Sequence, residues 1–275
     1  MGYTMTLKTE RFSSQGRARL SAVLQTAKDL VTIEDTVKAL GVSRQAATKL
    51  LARWKQQGWL KRVGPGIYAP IPLDASTTAQ VLKDPWVLIP ALFTPCYVGG
   101  WTAAEHWNLT EQLFRSILVF TARPLRKKEQ TVQGVSFTLK RIPERALFGM
   151  KTLWRGQARV NISDKHRTII DLLARPEIGG GIRHVEQCLR NYLRDAEANT
   201  ETLISYAEKL GNGAVFKRLG FLTSQIPGNE SLAQSCRQRL TQGIAKLDPS
   251  LPSRRLIKAW RLWIPKTWKS ETQRD

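Results

Sequence analysis

Gln45, Thr48, Lys49 and Arg53 recur at intervals of three and four residues, so a helix advancing about 100° per residue gathers them on one side. Amide, hydroxyl, ammonium and guanidinium groups in one row are hydrogen-bond donors. They donate to base edges and phosphate oxygens. Ala52 lies in the same row and is small enough for a duplex to approach closely. Ser43 and Arg44 stand at the start of this helix, where the amide ends of the backbone also favour phosphate. Lys61 and Arg62 follow shortly after it and suit the sugar-phosphate backbone. The candidate contact set is therefore Ser43, Arg44, Gln45, Thr48, Lys49, Arg53, Lys61 and Arg62, and the expected partner is double-stranded DNA.

The elements that must hold these residues are legible around them. Ile33, Val37 and Leu40 recur at i, i+4 and i+7 and predict one amphipathic helix. Gly41 permits a turn, and Ser43 is a fitting cap for a second helix starting at Arg44. On that second helix Ala46, Ala47, Leu50, Leu51 and Trp54 form the apolar stripe opposite the polar row. Leu20, Val23, Leu24 and Ala27 mark a preceding helix. After Gly58, Trp59 to Val63 and Ile67 to Ala69 read as two strands around Pro65 and Gly66, residues suited to a type II turn. Three helices followed by a hairpin make a winged helix-turn-helix. The opposing reading of the polar row is an ordinary solvated face.

Composition agrees with a polyanionic partner. The chain of 275 residues carries 43 Lys and Arg against 22 Asp and Glu, a formal charge of +21, of which +8 falls in residues 1–70 and +13 in the rest. Binding is then expected to depend strongly on salt. Three widely spaced cysteines, Cys96, Cys188 and Cys236, form no CxxC pair and predict neither a disulfide framework nor a zinc site. Residues 1–15 lack the apolar core of a targeting peptide, and the apolar run 86–93 is too short to span a membrane. The expected location is the cytoplasm, with no membrane association.

Length predicts about two domains. Residues 69–78, APIPLDASTT, read as a linker, giving a DNA-binding domain over 1–72 and a larger mixed α/β domain over 79–275. The expected class is α+β. In the second domain short helices are predicted at 79–82 and 85–92, a strand or turn entering a helix at 97–109, and strands at 117–121 and 132–139. Helices are predicted at 164–174, 182–194, 202–210 and 213–222. No internal repeat or low-complexity tract is present.

Residues of catalytic type in this second domain do not form a pattern. His166 and Asp171 lie five apart and fall on different helix faces. His106 with Glu105, and His184 with Glu186, lack the two-histidine helical spacing of a metal site. Gly179, Gly180 and Gly181 are not followed by Lys-Ser/Thr and read as an interhelix turn. Arg123 to Lys128, RPLRKK, reads as a solvated loop, with an auxiliary phosphate contact as the other reading. Trp260, Trp263 and Trp268, interleaved with cations, suit either a closing strand or stacking on nucleic acid. No catalytic residue, metal or cofactor is expected.

The order of a winged helix, then YVGGWTAAEHWNLTEQ, ISDKHRTIIDLLARPEIGGGIRHVEQCL, VFKRLGFL and GIAKLDPSLPSRRLIKAWRLWIP resembles the AbiEi-type antitoxins of type IV toxin-antitoxin, or abortive infection, systems. The resemblance runs from about residue 20 to 265. It implies a DNA-binding antitoxin and autorepressor, not an enzyme, whose winged helix binds inverted repeats in its own promoter. It also implies that the C-terminal domain counteracts a nucleotidyltransferase-like toxin, and it leaves open whether the two proteins touch. Operator binding is expected either as a dimer or as cooperating monomers. Two other readings follow from the residues: a ligand-sensing winged-helix transcription factor, and a nuclease-like enzyme targeted by its winged helix.

Overall fold

The computed structural model describes residues 14–27, 29–71, 84–266 and 268. The chain forms two compact units, one of residues 1–92 with 154–158, the other of residues 93–153 with 159–275. The expected linker at 69–78 lies mostly outside the described residues, as does the short helix expected at 79–82. The first unit continues through Leu92, so it includes the 3-10 turn Pro85–Val87 and most of helix α4, Leu88–Phe93.

In the first unit α1, Ser14–Thr26, α2, Ile33–Leu40, and α3, Arg44–Gln56, precede a sheet of order β1-β3-β2. Its strands are β1, Val31–Thr32, β2, Leu60–Gly64, and β3, Ile67–Pro70. Two-residue β1 was not predicted; it pairs antiparallel with β3, Val31 opposite Tyr68. Val23, Ala27, Val31, Leu51, Trp54, Leu60 and Tyr68 form the core. The predicted stripes hold with three exceptions. Leu24 and Ala46 are exposed, each lying at the margin of its helix stripe. On α2 the fully buried residue is Thr36, tolerated there because its hydroxyl donates to the Thr32 carbonyl at 2.9 Å, while Ile33 and Leu40 are half-buried.

The second unit is built on a six-stranded mixed sheet, order β6-β7-β5-β4-β9-β8. These strands are β4, Cys96–Val98, β5, Ser116–Thr121, β6, Glu129–Val132, β7, Val135–Arg141, β8, Met150–Arg155, and β9, Ala158–Ser163. The single strand expected over 132–139 is a hairpin: Gln133 and Gly134 both take positive φ, 55° and 78°, and reverse the chain between β6 and β7. Strands β8 and β9 were not predicted. The tip between them, residues 154–158, belongs to the first unit, where the Gln157 N–H donates to Asp29 at 2.9 Å.

Helix α5, Gly100–His106, precedes β5, and five helices follow β9: α6, Lys165–Ala174, α7, Ile182–Arg194, α8, Thr200–Leu210, α9, Gly213–Thr223, and α10, Glu230–Arg237. The chain closes with a small sheet, order β10-β12-β11, of β10, Ala245–Lys246, β11, Arg255–Ile257, and β12, Leu262–Ile264. Helix α6 packs against α5, α7, α8 and α9 and is buried from Arg167 to Leu173. A helix enclosed on all sides is ordinarily apolar throughout. This one carries Arg167 and Asp171 inside, and their pairing makes the burial tolerable.

Candidate nucleic-acid interface

The local sequence fixes the outward face of α3 by fixing both helices of the pair. Thr32 and Asp35 form a reciprocal cap on α2, Thr32 Oγ1 accepting from Asp35 N at 3.1 Å and Asp35 Oδ2 accepting from Thr32 N at 2.9 Å. The helix ends at Gly41, whose φ of 61° is the left-handed C-cap conformation. Ser43 Oγ accepts from Ala46 N at 3.2 Å and starts α3 at Arg44, as the sequence predicts. Ala47, Leu51 and Trp54 then anchor the inner side.

Gln45, Thr48, Lys49, Ala52, Arg53 and Gln56 are exposed. Gln45, Lys49 and Arg53 make no hydrogen bond or ion pair with the described residues, so their donors are available to an external acceptor. Three others of the candidate set are already engaged. The Ser43 hydroxyl serves the helix cap, and Thr48 donates to the Arg44 carbonyl at 2.8 Å, which leaves its oxygen as an acceptor. Arg44 pairs with Glu34 of α2. The hydrogen bond from Arg44 holds the Glu34 carboxyl below the usual carboxylate range. Sequence reasoning passed over Glu34; the ten-residue spacing across the Gly41 turn was its only signal.

The hairpin also has an irregularity that explains its imperfect alternation. The register shifts between Arg62 and Gly64, a bulge that brings both Leu60 and Val63 inward. Arg62 is exposed and its Nε donates to the Gly64 carbonyl at 3.2 Å, whereas Lys61 is half-buried. Adjacent strand residues point to opposite faces. Arg62 is thus the more available cation of the two. Gly66 at φ 71° supplies the positive angle that a type II turn requires.

In the second unit the residues of catalytic type serve the fold. Asp164 Oδ1 accepts from Arg167 N at 2.7 Å and caps α6. His166 contacts the Tyr192 hydroxyl at 2.6 Å. Arg167 donates through Nε to Asp171 Oδ1 at 2.9 Å, through Nη1 to the Ala146 and Phe148 carbonyls at 3.0 and 3.2 Å, and through Nη2 to Tyr97 Oη at 2.9 Å. Tyr97 in turn donates to Asp171 Oδ2 at 2.9 Å. Burial pushes the Asp171 carboxyl up against the opposing pull of Arg167, and burial likewise pushes up the Tyr97 phenol.

The other distinctive segments lock the helix ends. Arg218 of VFKRLGFL donates to the Leu173 and Ala174 carbonyls at 2.7 and 3.1 Å, satisfying the C-terminus of α6. Asp248 of KLDPS accepts from Ile182 N at 2.9 Å and occupies the N-terminus of α7, where a phosphate loop would need its anion. The three glycines before it form the expected turn. Within α9, a Cβ on Gly220 would collide with the Trp260 ring, so only glycine allows that approach.

His184 sits between Thr110 and the Gly179 carbonyl, Glu186 pairs with Arg190, and no group of three potential metal ligands occurs among the described residues. Arg123, Arg126, Lys127 and Lys128 lie in the exposed loop between β5 and β6. Trp260 and Trp268 are buried and Trp263 lies on β12. Only Trp263 lies on the closing strand; Trp260 ends the 3-10 turn Lys258–Trp260 and Trp268 lies beyond β12. Among the described residues no helix is long and apolar enough to cross a membrane.

A family model described as a transcriptional regulator, AbiEi antitoxin, matches residues 19–71, a span running from α1 to just beyond β3. Comparison with curated proteins gives no match. Among solved structures, the RV2827C protein from Mycobacterium tuberculosis superposes with a TM-score of 0.63 at 16% identity, covering 93% of each chain. At that identity the likeness is one of fold, and it extends over both units. The similarity to AbiEi antitoxin transcriptional regulators is thus carried by the N-terminal module, residues 19–71.

Proposed function

We propose that this protein represses its own operon by binding inverted repeats in the promoter, and that it counteracts a nucleotidyltransferase-like toxin. Residues 1–72 carry the DNA binding and residues 79–275 the antitoxin action. In the complex α3 lies in the major groove, with Gln45, Thr48, Lys49 and Arg53 directed to base edges and neighbouring phosphates. Ser43 and Arg44 meet the backbone at the helix N-terminus, and Lys61 and Arg62 meet it from the wing.

The observation that carries this reading is the outer face of α3. Three long donors, Gln45, Lys49 and Arg53, are exposed and uncommitted on a helix whose other side is locked by Ala47, Leu51 and Trp54. The surplus of positive charge on both parts of the chain supports a polyanionic partner.

A test separates the two activities within the full-length chain. Lys49→Ala with Arg53→Ala is expected to abolish repression of a promoter reporter while still relieving growth arrest by the co-expressed toxin. Loss of both activities, with the variant folded, would overturn the division of labour.

A further inference from the structure

We propose that the second unit contains a binding site for a phosphomonoester, such as a mononucleotide, independent of the DNA-reading helix. The site is a cavity of about 190 Å³. Four cations line it, Arg145, Arg167, Arg175 and Lys209, with Asp171 as the one carboxylate, and Phe120 contributes an aromatic wall.

These residues come from four separate elements. Arg145 stands in the 3-10 turn Glu144–Ala146, Arg167 and Asp171 on α6, Arg175 at its C-cap, Lys209 in the last turn of α8 and Phe120 on β5. The charge at the base is already balanced, since Asp171 accepts from Arg167 through one oxygen and from Tyr97 through the other. Arg145, Arg175 and Lys209 form no ion pair with any described carboxylate. A dianion placed among these three cations would gain their combined attraction.

The donor chemistry selects phosphate over a simple carboxylate. Two guanidinium groups at the rim present flat forks that match phosphate oxygens in pairs, and the ammonium of Lys209 adds a point charge. Arg175 lies over the Phe120 ring at 5.9 Å and Lys209 over Phe148 at 4.5 Å, contacts that hold each cation beside the protein surface. The cavity is smaller than the roughly 300 to 1,000 Å³ of sites that enclose a whole drug-sized ligand. It therefore admits the phosphoryl group, with Pro143 and Leu210 as apolar parts of its lining, and the remainder of the ligand extends beyond it.

Calorimetric titration of the full-length protein at constant ionic strength, with inorganic phosphate, AMP and adenosine, tests this assignment. Phosphate and AMP are expected to bind saturably with one site per chain, and adenosine is not. AMP tighter than phosphate would place its base on the apolar rim; equal affinities would leave the phosphoryl group as the whole determinant.

Arg145→Gln with Lys209→Gln, both exposed and so tolerated by the fold, should weaken AMP at least tenfold without altering promoter affinity. Arg126→Gln with Lys127→Gln removes the same charge from the exposed loop and should leave AMP binding unchanged. Absent binding by phosphate and AMP, adenosine binding as tightly as AMP, or an equal loss in the loop variant would overturn the proposal. Because α3 is untouched, such a failure would not bear on operator recognition.

Discussion

Replacing Arg167 with Met should cost about 3 to 5 kcal/mol of stability, confined to the second unit. The side chain is 1% exposed and its guanidinium supplies four hydrogen bonds, to Asp171, Tyr97 and the carbonyls of Ala146 and Phe148. Methionine fills much of the volume but leaves the buried Asp171 carboxylate without its counterion and two carbonyls without a donor. Breaking one side of a buried pair carries that cost, whereas removing both partners leaves no uncompensated charge. Arg167→Met with Asp171→Leu should therefore lose less than the two single variants added together, by about 0.5 to 3 kcal/mol.

Native-state hydrogen exchange resolves the two units. Amides of α6 should lose protection by the stated amount, and those of α3 should keep theirs. A loss below about 1 kcal/mol on α6, or additivity of the two single variants, would refute the view that this network is a coupled unit.

Glu34→Gln frees Arg44 for phosphate and removes a negative charge from the DNA side, so affinity for all sequences should rise and the salt slope steepen by about one phosphate contact, measured by fluorescence anisotropy; weaker binding would contradict the placement of Arg44. Gly220→Ala should lower the thermal midpoint of the second unit sharply, since its methyl group meets Trp260, and an unchanged midpoint in calorimetry would show that the ring can move. Burial pushes the Cys96 thiol up to about 11 and those of Cys188 and Cys236 up to about 12. Unfolded thiols ionise near pH 8.5, so the stability held by protonated thiols is complete below that pH and declines as pH rises towards the folded values. At pH 8 a thiol reagent should label the native protein only at its rate of opening, and rapid stoichiometric labelling would contradict the burial.

The helix-turn-helix and wing were legible because their determinants are local: apolar spacing, Ser43 before the second helix, and Gly41 and Gly66 at the turns. What escaped was set by pairing between distant segments. The strand β1 has two residues and exists through β3. Residues 150–155 lack clean alternation and become β8 through the sheet they join, whereas residues 158–163 alternate Ala158, Val160 and Ile162 with polar neighbours, a local signal of β9 that was passed over. Helix α10 spans only eight residues and buries only Leu232, Ala233 and Cys236, too short a stretch for its period to stand out. The i, i+4 spacing of Arg167 and Asp171 was visible, but their burial depends on four surrounding helices. The charge at the mouth of the cavity is assembled from residues as far apart as Arg145 and Lys209, and no window of sequence holds them together.

The most direct test of operator recognition is a competition titration of the full-length protein with its promoter fragment and a scrambled fragment of equal length, at fixed salt. The account predicts roughly 10³-fold or greater preference for the promoter, and a loss of about 1 to 3 kcal/mol on that fragment for Arg53→Ala or Lys49→Ala wherever the side chain reaches a base. Equal affinity for both fragments, or unchanged promoter binding after both substitutions, would contradict it.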